Sequence, residues 1–308
     1  MIKKMTLKKF RICILSIVAI LLLAIFPKEE KLKKEEKLEY ITKTQSTIYL
    51  LDSNNYLAMT SINLDDNNNT KKARKLLTAL IQNEKYENEI PNGFRNIIPE
   101  NTRILNINCK NNTIKVDFNK NLLNTSAEYE EKIIEAIVYT LTSIKDIKYV
   151  IIYIEGELLT RLPKNNITIP ATLDRSFGIN KEYNVTSEKN INKTTVYYMS
   201  KYNDTSYYIP VTKINNSKKK KAEIIIQELS SIQKNNLFSY LNDNTEIVSL
   251  TEDNQKLNID FNKFIYDDIN TKEVLEENIN CIYLSLLDSY DVKTITLTSN
   301  NEEIYKSK

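Results

Sequence analysis

The 308-residue sequence has no histidine, no tryptophan, three glycines and three cysteines. Without histidine there is no Ser-His-Asp or Cys-His triad, no His-ligated zinc and no imidazole base. Gly93, Gly156 and Gly178 are too dispersed to form a glycine-rich phosphate loop. Cys13, Cys109 and Cys281 do not make a disulfide framework. Cys109 falls on an alternating strand and Cys281 on an apolar helix face, where each is expected as a small buried hydrophobe. Basic charge is also scarce beyond the first residues. Five of the 43 Lys and Arg lie in residues 1–11, so 38 remain to face 40 Asp and Glu. The formal charge of +3 belongs to the leader, and nucleic-acid binding loses its compositional support.

What is present begins with that leader. Lys3, Lys4, Lys8, Lys9 and Arg11 precede an uncharged run from Ile12 to Phe26 in which only Ser16 is polar. A basic segment followed by an apolar one is an export signal. The run ends Leu23-Ala24-Ile25-Phe26-Pro27, a poor cleavage site, and no cysteine follows a lipoprotein box. Residues 1–27 are therefore expected to be a signal anchor with a cytoplasmic N-terminus, and residues 28–308 to be extracytoplasmic at the cell membrane. A cleaved and secreted chain is the alternative. Residues 28–44 open with a Lys/Glu run and read as a charged spacer. The one other basic run, Lys218 to Lys221, reads as the solvated start of a helix or a loop, with an anionic lipid or cell-wall contact as the alternative.

The exported part contains an internal repeat. Asn101 to Lys120 and Asn244 to Lys263 agree at 8 of 20 positions without a gap. Leu105/Val248, Ile107/Leu250, Ile114/Leu257 and Val116/Ile259 add apolar exchanges on what reads as one alternating face. The match extends from Thr47-Ile48-Tyr49 against Thr195-Val196-Tyr197 to Asp146-Ile147-Lys148 against Asp291-Val292-Lys293. Two domains follow, 45–158 and 194–306, joined by a linker over 159–193.

Periodicity gives each copy its elements. Alternation predicts strand pairs around Lys110-Asn111-Asn112 and Asp253-Asn254-Gln255. Helical stripes are Ala73, Leu76, Leu77 and Leu80; Ile134, Ile137, Val138, Leu141 and Ile144; and, in the second copy, Leu275, Ile279, Ile282 and Leu286. Tyr149 to Ile154 and Thr294 to Leu297 close the copies as strands. The expected class is α+β: two tandem β-β-α-β-β-α-β units, each with helices packed on a mixed sheet.

These residues resemble the GerMN domain family of bacterial sporulation and germination proteins. The family pattern reads here as Ile98-Pro99-Glu100-Asn101-Thr102, Val116-Asp117-Phe118, Thr140-Leu141-Thr142, and the strand Val150 to Ile154 followed by Gly156. The segment Leu173-Asp174-Arg175-Ser176-Phe177-Gly178-Ile179-Asn180 is similar to the join between tandem copies in that family. The second copy departs from the pattern, with Leu241-Asn242-Asp243-Asn244-Thr245 lacking the proline and no glycine after its closing strand. The family is similar in fold to the ring-building modules of secretion systems. The resemblance implies a role in sporulation, at the membranes between mother cell and forespore, supporting assembly of the channel complex there.

No residue is assigned to catalysis, a cofactor or a metal. The motif positions Pro99, Thr102, Asp117, Phe118, Thr140, Leu141, Gly156, Thr245, Asp260 and Phe261 are expected to be structural. Asp117 and Asp260 each sit in an Asp-Phe-Asn-Lys context and are expected to cap or turn the chain before the next helix. Tyr197, Tyr198, Tyr202, Tyr207 and Tyr208 read as core and sheet packing, with an exposed partner-binding hairpin as the alternative. The favoured function is a non-enzymatic assembly protein whose partners are envelope or sporulation-complex proteins, or further copies of itself. A binding module for peptidoglycan or a small ligand is the alternative, and a carboxylate-based cell-wall hydrolase ranks last.

Overall fold

The computed structural model describes residues 45–307, apart from 65, 67, 84, 85 and 232–235. The expected anchor (1–27) and spacer (28–44) lie outside the described residues. The first copy runs β1 (Gln45–Asp52), β2 (Leu57–Asn63), α1 (Asn69–Leu80), β3 (Phe94–Arg95), β4 (Ile104–Lys110), β5 (Thr113–Phe118), α2 (Ala127–Leu141), β6 (Tyr149–Ile154) and β7 (Glu157–Leu158). After β8 (Glu182–Asn184), the second copy runs β9 (Asn192–Tyr202), β10 (Thr205–Asn215), α3 (Lys221–Ser230), β11 (Ile247–Asp253), β12 (Lys256–Phe261), α4 (Glu276–Ser289), β13 (Thr294–Ser299) and β14 (Glu302–Lys306). Among the described residues no helix is long and apolar enough to cross a membrane.

Local chemistry accounts for these elements. Asn68 caps α1 by accepting from the Lys71 amide, and the stripe Ala73, Leu76, Leu77 and Leu80 is buried. The β4–β5 turn places Asn111 and Asn112 at φ 49° and 59°, and the β11–β12 turn places Asn254 and Gln255 at 49° and 62°. Two successive positive φ values match the twist of a tight hairpin, and Asn tolerates them best after Gly. The same geometry adds β7 and β14, which periodicity does not announce: Glu155-Gly156 and Asn300-Asn301 turn the chain with φ 51°, 86°, 51° and 64°. Asn301 thus does in the second copy what Gly156 does in the first.

The alternating face proposed for β4 and β11 needs correction. A register shift separates Ile104 from Asn106 and Ile247 from Ser249. The extra residue in each bulge is Leu105 or Val248, and these are 50% and 65% exposed rather than inward. Ile104 and Ile247 pack against the cores in their place. Leu275, expected on the apolar stripe of α4, precedes the helix and is 42% exposed.

The layering also differs from one mixed sheet per copy. Each copy keeps a four-stranded sheet, ordered β4-β5-β6-β7 or β11-β12-β13-β14, whose two central strands are parallel. The opening hairpins leave those sheets and join each other across the copies. In this shared sheet, ordered β3-β1-β2-β10, β10 also pairs with β9 and with β8. An opening hairpin that leaves its own sheet needs another edge to cover it, and the equivalent hairpin supplies one. The cores interlock accordingly, since Ala58 of β2 is buried in the second copy's core. Leu159, Leu162, Ile169, Leu173 and Ile179 from the joining segment are buried in the first.

Candidate functional site: the junction of the two copies

Equivalent residues meet at the junction. Met59 pairs with Tyr208 across the copies. The hydroxyls of Tyr49 and Tyr197, which are counterparts in the repeat, lie 3.2 Å apart although β2 and β10 stand between their strands. The Tyr49 amide donates to Thr140 Oγ1 of α2 at 3.1 Å, and the Tyr197 amide donates to Ser285 Oγ of α4 at 2.8 Å. A hydroxyl on each second helix therefore satisfies a backbone donor on each outer strand. Contacts of residue with equivalent residue are the mark of a two-fold interface, here built within one chain.

One side chain breaks that symmetry. Asp174 accepts from the Ser176 amide and starts the short turn Arg175–Phe177, which carries Arg175 into the junction. Its guanidinium donates to Asp288 Oδ1 at 2.5 Å and to the Tyr197 hydroxyl and Thr142 Oγ1, both at 3.1 Å. It also lies over the Tyr139 ring at 4.9 Å and the Tyr49 ring at 5.8 Å. Asp288 accepts from the Tyr197 hydroxyl at 2.8 Å through its other oxygen. Burial works against the charge of Arg175, but Asp288 together with Tyr49, Tyr197 and Tyr139 more than offsets it and holds the guanidinium protonated. Burial raises the phenol pKa values of Tyr49, Tyr139 and Tyr197. The cluster is a fully engaged lock: its phenols are held neutral and its one carboxylate is bound on both oxygens.

The next residues of the joining segment fill the sheet. Gly178 takes φ 87°, where a Cβ would lie 3.0 Å from Lys181 and 3.1 Å from Thr212. The Thr212 amide donates to Ile179 O and the Ile179 amide to Thr212 Oγ1. Asn180 Oδ1 accepts from the Leu57 amide, while its Nδ2 donates to Leu57 O and Pro210 O at 2.8 Å each. This side chain replaces the ladder that β2 and β10 lack at that level. The Asn180 amide in turn donates to buried Glu135 Oε2 at 2.9 Å. Lys181 pairs with Glu131 at 2.6 Å and with Glu135 at 3.4 Å. Burial pushes the Glu135 carboxyl up to about 7, with Lys181 acting in the opposite sense.

The sequence-derived positions are distributed through both copies. Thr102 Oγ1 donates to Pro99 O at 2.6 Å, and Thr245 Oγ1 donates to Phe264 O at 2.9 Å. Phe118, Phe261 and Leu141 are core residues, and Thr140 caps the β1 edge. Asp117 accepts from the Gly156 amide, and Asp260 from the Asn301 amide and from Thr298 Oγ1. Each carboxylate thus ties its strand to the turn after the neighbouring parallel strand. In the second copy Asn262 caps the short turn that follows the strand, accepting from the Phe264 amide. Asp117 and Asp260 stand on separate four-stranded sheets. Tyr197, Tyr198 and Tyr207 are buried, while Tyr202 and Tyr208 are half-buried. Cys281 is buried and Cys109 half-buried; burial raises both thiols. Lys221 opens α3 and donates to Ser289 O, and Lys219 donates to Gln227.

Asp288, Ser285 and Glu135 were not singled out in the sequence, and Arg175 and Asn180 only as part of a resembling segment. The available signal was the hydroxyl at Thr140 and Ser285, the same place in each copy.

The family described as "Germane: Sporulation and spore germination" matches residues 47–160. The "Spore germination protein GerM" of Bacillus subtilis (strain 168) is 31% identical over 263 residues, covering 83% of this chain and 71% of that protein. The solved tandem GerMN domains of the sporulation protein GerM from Bacillus subtilis superpose with a TM-score of 0.75 at 30% identity, covering 84% of this chain and 91% of that one.

Proposed function

Because this chain belongs to the GerM family of sporulation and spore germination proteins, we propose that it is a non-enzymatic, extracytoplasmic assembly protein of the sporulating cell. Residues 1–27 anchor it in the membrane, and residues 28–308 stand in the space between mother cell and forespore. There its paired GerMN units support an envelope complex by protein packing. One observation carries the reading: the buried polar cluster around Arg175 is spent on joining one unit to another. The two strand-end carboxylates are likewise engaged with turns rather than aimed at a shared cleft. A deletion strain scored for sporulation stage tests the reading, with topology mapped by reporter fusions at both ends of the chain. Arrest or delay during sporulation and an exported C-terminus are expected. Normal spores that germinate normally overturn it.

A further inference from the structure

The shared sheet divides at its middle. β2 and β10 pair at one point, Met59 opposite Tyr208. On the Leu57 side of that point the chain fills the gap itself, with Asn180 bonded to both strands and Glu182–Asn184 running parallel to β10. On the Ser61 side a cleft of about 680 Å³ opens, with Thr60 and Ser61 of β2 on one side and Thr205 and Ser206 of β10 on the other.

The direction of the backbone groups follows from the ladder. In an antiparallel pair the N–H and C=O of one residue point to the same side, and that side alternates along the strand. Leu57 bonds outward from the β1–β2 hairpin, and Thr212 bonds outward from the β9–β10 hairpin. Neither hairpin has a register break. By the period of two, Ser61 and Ser206 direct their N–H and C=O into the cleft. Two strand edges thus face one space, a template for an added strand.

The lining says what kind of strand. None of the fourteen described residues around the cleft carries a charge, in a chain that is 27% charged. A charged occupant would find no counter-ion there, so the chain's own Lys/Glu run over residues 28–38 does not suit it. Aromatic rings form part of the wall: Phe94 meets Tyr207 edge-on at 4.9 Å, and the Tyr202 ring covers Gly93, where a Cβ would lie 2.4 Å away. These rings can receive the alternate side chains of an extended segment.

We propose that this cleft accepts an uncharged, extended segment of a partner polypeptide, which pairs as an inserted strand with the free edges of β2 and β10. The proposal deepens the assembly reading and rests on it for the existence of a partner. The cleft itself is tested on the purified full chain in detergent micelles.

Hydrogen exchange read by mass spectrometry on fragments covering 57–64 and 203–209 is the measurement. The probe is the capped peptide Gly-Thr-Val-Thr-Val-Thr-Ser-Gly. It is compared with a version carrying Lys and Glu for its threonines and with one whose alternate amides are N-methylated. The neutral peptide should slow exchange in both fragments, and either altered peptide should bind about tenfold more weakly or worse. Ser206→Pro should abolish protection in both fragments while leaving the fold intact, since Pro210 already stands on the same outward edge. If that variant does not fold, the N-methylated peptide on the unaltered chain decides. Equal binding of the N-methylated peptide, or no protection, overturns the proposal. Protection without peptide beyond that of the two hairpin ladders also overturns it: independent of protein concentration, it means the chain's own N-terminal segment is the occupant, and dependent on concentration, a second copy. A deletion strain with normal spores would remove the sporulation role and leave the peptide result untouched.

Discussion

At the scale of single residues, Arg175 and Asp288 show how much one buried pair can carry. Asp288 has 3% of its side chain exposed and Arg175 25%. Asp288→Ala would leave the guanidinium without its carboxylate and the Tyr197 hydroxyl without its acceptor. A loss of about 3 kcal/mol is expected, at the lower end for a broken buried pair because the arginine keeps some water. Urea unfolding measures it, and a loss within experimental error would show that the junction does not depend on the lock. Glu135 gives a pH dependence of definite sign. Its carboxyl titrates near 7 in the folded chain against an ordinary 4.5, so the folded state holds a proton that the unfolded chain has released. The stability this contributes is complete below the unfolded value and is lost as pH rises through the folded one, on the order of 3 kcal/mol in all. Glu135→Gln should remove the decline between pH 5 and 7.5, and parallel curves for variant and parent would rule Glu135 out as its source. None of this was legible at residue level in the sequence. Arg175 stands there only as part of the segment between the copies, because the groups that bury it, Tyr49, Tyr139 and Asp288, are remote in the chain.

At the scale of elements, the segment between the copies acts as structure. Asn180→Ala would strand the Leu57 amide and the carbonyls of Leu57 and Pro210. A cost of about 3 kcal/mol is expected, with faster hydrogen exchange in β2 as the local signature. Unchanged exchange at Leu57 would mean that another group takes over the bridge. The elements that the sequence disclosed are those long enough to show a period: the stripe of α1 and the alternation of β5 and β12, where every second residue is buried. Those it hid are short or interrupted. β8 is three residues and β7 two, below the length at which alternation can be seen. The bulges in β4 and β11 shift the pattern by one residue, which sends Leu105 and Val248 outward, and only the pairing partner reveals the shift.

At the scale of the whole molecule, the repeat was legible but its consequence was not. Sequence self-similarity predicts two like units, whereas the shared sheet, the burial of Ala58 in the second copy's core and the Tyr207 to Asp52 hydrogen bond at 3.0 Å knit them together. Thermal unfolding of the full chain should therefore show one transition for residues 45–307, with the calorimetric and van't Hoff enthalpies in agreement. Two resolved transitions would mean that the copies melt independently. The single Met59–Tyr208 bridge explains itself once the tether is considered. Two free subunits would need a broad apolar contact to find each other in dilute solution, but copies tied by residues 159–191 meet at an effective concentration on the order of millimolar. Covalent connection thus relieves the junction of the need for affinity, and it can stay polar and partly unzipped, with strand edge left over for something else to use.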